Sequence, residues 1–230
     1  MDADLPSRLT ARLKQPLPGR QAQMTFEPEM SYGRHFGPPD ADAKPAAVLV
    51  LLYPIEGRWF VPLTTRPATM VVHAGQISLP GGRVEPGETP EAAVFRELEE
   101  ELGVARQGIA VLGQLSSLYL FGSNFIVLPW VAAAQRRPEF RPSPTEVTEL
   151  LEVPLAHLVD PVHTGIHSRC QRGVAITAPH FLWGRHRIWG ATSMILAELV
   201  AIVREMEIGS SCFAPGQLKT ADPTRGGSSP

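Results

Sequence analysis

The chain lacks the long apolar run that a membrane-spanning helix requires. No stretch of its 230 residues approaches about 18 consecutive apolar side chains. The first 18 residues are mixed and polar, without the apolar segment of a secretory signal. We therefore expect a cytoplasmic protein that does not associate with a membrane.

The chain also has few cysteines and no excess of basic charge. The only two cysteines, Cys170 and Cys212, lack the spacing of a metal-binding pair, and the histidines form no H-E-x-x-H motif. Free thiols in a reducing compartment are expected, with a disulfide between the two as the alternative, and no zinc site is expected. The formal net charge is −2, and the pair Arg136 and Arg137 is too short to form a basic patch. We expect no nucleic-acid partner.

What the chain does contain is a dense cluster of carboxylates between residues 82 and 104. Glu97, Glu100 and Glu101 are spaced so that they share one face of a helix. Like charges repel, so the clustered carboxylates would destabilise an ordinary solvated helix. A hard divalent cation, which binds oxygen ligands, would offset this repulsion. The spacing therefore predicts a metal site.

The same segment carries the local signals of a helix. Thr89 suits the N-cap, Pro90 suits the first helical position, and Gly103 suits a left-handed C-terminal cap. Apolar residues at helical spacing lie nearly opposite the glutamates, which predicts one buried face. Arg96 precedes Glu100 by four residues and can pair with that carboxylate and orient it.

Residues 82–104 resemble the signature of the Nudix hydrolase family, G-x5-E-x7-R-E-U-x-E-E-x-G-U, in which U is a bulky apolar residue. A charged amphipathic helix between two glycine turns is the alternative interpretation. The family implies an α/β (α+β) fold, an α/β/α sandwich with a mixed β-sheet between helices. Every specified position is filled, by Gly82, Glu88, Arg96, Glu97, Leu98, Glu100, Glu101, Gly103 and Val104.

The resemblance also implies an activity, which is hydrolysis of a nucleoside diphosphate linked to another moiety, with Mg²⁺ or Mn²⁺. Glu97 and Glu101 are the expected metal ligands, and Glu100 is a ligand or the general base. Arg96 has the orienting role. Glu146, after the proline-rich stretch 138–144, is the alternative base.

The segment upstream of the signature resembles the coenzyme A pyrophosphatase branch of the family, L-L-T-x-R-S-x3-R-x3-G-x3-F-P-G-G. The chain departs from it at Pro62, Pro67, Val71 and Leu79. Val71 matters most, because an arginine there can meet a phosphate and valine cannot. The residues expected to contact substrate are Arg66, Gly75, Gln76, Pro80, Gly81 and Gly82.

Three functions compete on these grounds. The first is a metal-dependent coenzyme A pyrophosphatase that gives 4′-phosphopantetheine and adenosine 3′,5′-bisphosphate. The second is a Nudix hydrolase of ADP-ribose, a dinucleotide or a nucleotide sugar, and the third is an inactive ligand-binding module. The partner is in each case a small molecule, and a homodimer is one assembly considered.

Three segments are predicted: an N-terminal arm at 1–44, a Nudix domain at 45–208 and a flexible tail at 209–230. Inside the arm, Leu9 and Leu13 hint at a short helix. Helices are also expected at 155–158 and 191–207. Strands are expected at 46–53, 59–65, 76–79, 109–119, 125–133, 146–153, 176–183 and 187–189.

Overall fold

A computed structural model describes residues 4–65, 76–171 and 174–211 of the chain. Within these ranges it contains five α-helices and eleven strands. The helices are α1 Leu5–Arg12, α2 Gly19–Gln23, α3 Pro90–Leu102, α4 Leu155–Val159 and α5 Ala191–Ser211. The strands are β1 Lys44–Ile55, β2 Arg58–Thr65, β3 Ile77–Ser78, β4 Gly81–Arg83, β5 Ile109–Gln114, β6 Leu118–Leu120, β7 Phe125–Ala134, β8 Glu149–Pro154, β9 Thr164–Gln171, β10 Val174–Trp183 and β11 His186–Trp189.

The main sheet is mixed and is organised around β1. Its central order is β3-β2-β1-β7-β5, with β4 paired to β1, β6 to β7 and β8 to β2. β1 runs parallel to β7 and antiparallel to β2 and β4. Its continuous apolar run suits a strand that is covered on both faces. A second, antiparallel sheet has the order β11-β10-β9.

Side chains of β1 alternate between two apolar cores, as the period of a strand requires. Leu49 and Leu51 belong to the core that contains the buried face of α3. Val50 and Leu52 belong to the core that contains residues of α1, α4 and α5. The predicted α/β/α sandwich with a mixed sheet is thereby confirmed. No helix in the described part of the chain has the length and apolarity to cross a membrane.

The segment before β1 is packed onto this sandwich. Leu9 of α1 is fully buried in the core beside α5, which confirms the hint of a helix there. The fully buried carboxylate of Glu198 in α5 accepts hydrogen bonds from Gly19 N at 3.0 Å and Gln23 Nε2 at 2.9 Å. It also accepts from the backbone and hydroxyl of Ser116, at 3.1 and 2.7 Å. Hydrogen bonds from neutral groups therefore join α2, α5 and the chain after β5.

Two strand predictions need correction. The predicted strand 109–119 is divided into β5 and β6, because Ser116 turns its polar groups to Glu198 instead of to a neighbouring strand. The predicted strand 146–153 begins only at Glu149, since the amides of Glu146 and Val147 both donate to Ser143 O in a turn. The polar strand β9 was not predicted; its pairing with β10 stabilises it. At the other end, α5 reaches Ser211, beyond the predicted start of the tail.

Candidate active site

Helix α3 has the ends that its sequence predicts. Thr89 Oγ1 accepts a hydrogen bond from Ala92 N at 3.1 Å, and Pro90 occupies the first turn. Gly103 ends the helix in the left-handed conformation, with φ of 65°. Leu98 is fully buried on the core side. The carboxylates of the helix are thereby held at a defined position relative to the sheet.

The guanidinium of Arg96 binds three carboxylates at once. Its Nε and Nη2 donate to the two oxygens of Glu88 at 3.0 and 3.1 Å. Its Nη1 donates to Glu97 Oε1 and to Glu100 Oε2, both at 2.9 Å. Nη2 also donates to the backbone oxygen of Arg83 at 3.0 Å. The predicted pairing with Glu100 is confirmed, whereas the contacts with Glu88, Glu97 and Arg83 were not expected from spacing along the helix.

The glycine at position 82 makes room for the Glu97 carboxylate. A Cβ atom built on Gly82 would lie 2.5 Å from the carboxyl carbon of Glu97, well inside van der Waals contact. The preceding Gly81 has φ of 146°, and a Cβ there would lie 2.6 Å from Val48 Cα in β1. The two glycines therefore let the signature loop lie between β1 and α3.

Burial and neighbouring negative charge act together on Glu97. Only 17% of its side chain is exposed. Burial raises the pKa of the Glu97 carboxyl, and the carboxylates of Glu100 and Glu146 raise it further, although Arg96 opposes them. By contrast, the hydrogen bond from Arg96 lowers the pKa of Glu88. Glu97 is thus a hard oxygen donor whose charged form a cation would stabilise.

The donor set fits a divalent cation such as Mg²⁺ or Mn²⁺. Glu97, Glu100 and the buried Glu101 supply carboxylate oxygens from one helix. In the part of the chain that the structure covers, no three histidine, cysteine or acidic side chains already converge as a ligand set. Instead, Arg96 Nη1 occupies the space between Glu97 and Glu100.

A loop after β7 packs on the end of α3 and brings Glu146 to the site. Ser143 N donates to the backbone oxygen of Glu101 at 2.9 Å. Thr148 N donates to Thr65 O, at the end of β2, at 2.8 Å. Glu146 lies between these two residues along the chain, and its carboxylate is one of the charges that raise the pKa of Glu97. The alternative base is therefore carried by the loop that packs on the end of the signature helix.

The expected substrate contacts are only partly within the described residues. Arg66 and Gly75 lie outside them, as do the departures at Pro67 and Val71. Pro80 and Gly81 are buried, and Pro80 O accepts a hydrogen bond from Leu49 N at 2.9 Å. For Gln76, Pro80, Gly81 and Gly82, contact with substrate stays a prediction.

Comparison with known proteins agrees with this geometry. The sequence model of the family described as NUDIX domain matches residues 43–169 of the chain. The chain belongs to the Nudix family. This Nudix chain is 33% identical over 143 residues to the uncharacterized Nudix hydrolase NudL of Photorhabdus laumondii, an alignment that covers 62% of this chain and 76% of the relative.

A further relative is similar in sequence, and a solved structure is similar in fold. The Nudix chain is 35% identical over 154 residues to the human mitochondrial coenzyme A diphosphatase NUDT8, covering 65% of each protein. The crystal structure of a MutT/nudix family protein from Enterococcus faecalis superposes with a TM-score of 0.50 at 18% identity, over 90% of this chain and 77% of that one. The family match and the hydrolase relatives identify the chain as a Nudix hydrolase.

The fit of Glu97 against Gly82 yields a prediction. Gly82→Ala should lower kcat/KM for hydrolysis by about tenfold or more, because the added methyl group displaces the Glu97 carboxylate. Gly122→Ala is the matched control, since a Cβ there meets no atom within 4 Å. Steady-state kinetics on both variants, with thermal unfolding to confirm the fold, measures the effect. Equal activity of the two variants would contradict the role given to Gly82.

Proposed function

We propose that this Nudix hydrolase cleaves the diphosphate of coenzyme A or its derivatives, giving 4′-phosphopantetheine and adenosine 3′,5′-bisphosphate. The carboxylate cluster that Arg96 holds against β4 carries the proposal for the chemistry, together with the loop of Glu146 that packs on the end of α3. The choice of substrate is supported by the relative named as a coenzyme A diphosphatase and by Thr64, Pro80, Gly81 and Gly82 of the upstream pattern.

Glu97 and Glu101 are the proposed ligands of Mg²⁺ or Mn²⁺, together with Glu100. The cation, when bound, neutralises the diphosphate and lowers the pKa of a bound water. The chain's own contribution is to hold the ligands. Arg96 and Gly82 fix the Glu97 carboxylate, and Ser143 N fixes the backbone of Glu101.

Of the two candidate bases, Glu146 is the one proposed to act as the base. Glu100 Oε2 already accepts a hydrogen bond from the cationic Arg96, which favours an orienting or ligand role. No hydrogen bond to the carboxylate of the exposed Glu146 is found among residues 4–65, 76–171 and 174–211. Its oxygen is available to take the proton of the water that attacks phosphorus. The bond that breaks is the one between that phosphorus and the bridging oxygen of the diphosphate.

A second candidate substrate class is favoured by one observation. Val71 replaces an arginine of the upstream pattern, so one cation that can meet the additional 3′-phosphate of coenzyme A is missing. Hydrolysis of ADP-ribose, a dinucleotide or a nucleotide sugar is the alternative. A binding module without activity is disfavoured, because it has no need for the intact cluster of Glu97, Glu100 and Glu101.

A substrate panel tests the proposed specificity. Product formation with Mg²⁺ or Mn²⁺ is measured for coenzyme A, dephospho-coenzyme A, ADP-ribose, NADH and diadenosine polyphosphates. The highest kcat/KM is expected for coenzyme A or an acyl derivative. A preference for another diphosphate would retain the Nudix chemistry and overturn the coenzyme A assignment. Val71→Arg should then raise the ratio of coenzyme A to dephospho-coenzyme A turnover.

A second experiment separates the base from the ligands. Glu146→Gln should lower kcat by about 100-fold or more, because the amide cannot accept the proton, while Mn²⁺ binding is retained. The matched control is Glu139→Gln, which removes an exposed carboxylate from the same loop. If Glu146→Gln behaves like Glu139→Gln, the assignment of Glu146 as the base is wrong.

A further inference from the structure

The loop that carries Glu146 is closed at its base by an ion pair. Arg137 Nε donates to Glu152 Oε2 at 2.8 Å, and Arg137 Nη2 donates to Glu152 Oε1 at 2.7 Å. Arg137 follows β7, and Glu152 lies within β8. A two-point contact of this kind fixes the orientation of both side chains as well as their separation. The two ends of the segment 137–152 are thereby held together.

A buried tyrosine ties this ion pair to the centre of the main sheet. The hydroxyl of Tyr53 in β1 donates to Glu152 Oε2 at 2.9 Å, and the side chain of Tyr53 is fully buried. Burial and the carboxylate of Glu152 raise the pKa of Tyr53, which keeps the hydroxyl a donor. The hydrogen bonds from Arg137 lower the pKa of Glu152, which keeps the carboxylate an acceptor.

The same residues also contact the interior of the loop. Phe140 meets the ring of Tyr53 edge-on, with 5.3 Å between ring centroids. The guanidinium of Arg137 lies 5.4 Å from the centroid of the Phe140 ring. Immediately after Phe140, Arg141 N donates to Leu102 O at the end of α3, at 2.7 Å. A continuous series of contacts thus connects the ion pair to the end of α3.

We propose that Arg137, Glu152 and Tyr53, here called the loop clasp, are positioning residues that hold Glu146 against the carboxylate cluster of α3. The proposal deepens the proposed function, since it rests on Glu146 as the base. The clasp lies outside the signature and the upstream pattern. It acts on catalysis through the loop, so its loss should change turnover more than substrate affinity.

A double-mutant cycle tests this coupling. The best substrate of the wild type is used to measure kcat and KM for Arg137→Met, Glu146→Gln and the double variant. Arg137→Met alone should lower kcat by about tenfold with little change in KM, because the base is misplaced. In the Glu146→Gln background, the same change should have almost no further effect. If the fold-losses in kcat of the two single variants multiply in the double variant, Arg137 acts independently of Glu146, and the positioning role is overturned.

The matched control is Arg12→Met. Arg12 also makes two contacts with a glutamate, through Nε and Nη2 to Glu205 Oε2 at 3.2 and 2.7 Å, but it joins α1 to α5. This variant should keep the wild-type kcat. A loss in Arg12→Met equal to that in Arg137→Met would show that removing any such ion pair suffices, and would overturn the positioning role.

A readout without substrate makes the result independent of the proposed activity. Amide hydrogen exchange at residues 141–148 should be faster in Arg137→Met and in Tyr53→Phe than in the wild type or Arg12→Met. Unchanged exchange in both clasp variants would overturn the proposal. If coenzyme A is not turned over, the proposed function fails, and the exchange rates still decide whether the clasp holds the loop.

Discussion

The contacts of the Arg96 guanidinium are the interaction on which the site depends. Its planar set of donors binds Glu88, Glu97 and Glu100 in fixed directions, which a lysine cannot do. It also binds the backbone of Arg83 at the end of β4. One cation therefore joins the signature loop to the signature helix and offsets the repulsion among neighbouring carboxylates.

The sandwich explains why this arrangement can be held in place. β1 is buried by α3 on one face and by α1, α4 and α5 on the other, so the helix lies on a rigid sheet. Gly81 and Gly82 allow the backbone of the signature loop to enter the narrow space between sheet and helix. The loop with Glu146 then crosses from the end of α3 to the end of β2. The candidate base and the candidate ligands thus come from different parts of the chain.

Features set by neighbours in sequence were predictable. The caps at Thr89 and Gly103, the buried face of α3 and the pairing of Arg96 with Glu100 all follow from spacing of one to four residues. Features set by distant residues were not. The bond from Ser143 to Glu101 and the division of β5 from β6 at Ser116 depend on contacts across the fold. The strand expected to begin at Glu146 failed for a different reason: hydrogen bonds of a local turn prevailed over its apolar pattern.

The proposed chemistry requires a divalent metal site on one face of α3. Titration of Mn²⁺, followed by electron paramagnetic resonance, tests it on the wild type and on Glu97→Gln, Glu101→Gln and Glu99→Gln. Glu99 is the control, because it is an exposed glutamate of the same helix at a position that the signature leaves unspecified. A Mn²⁺ site is expected in the wild type and in Glu99→Gln, and Mn²⁺ affinity should be weakened severalfold or lost in the other two variants. Equal affinity in all four proteins, or no binding by the wild type, would contradict it.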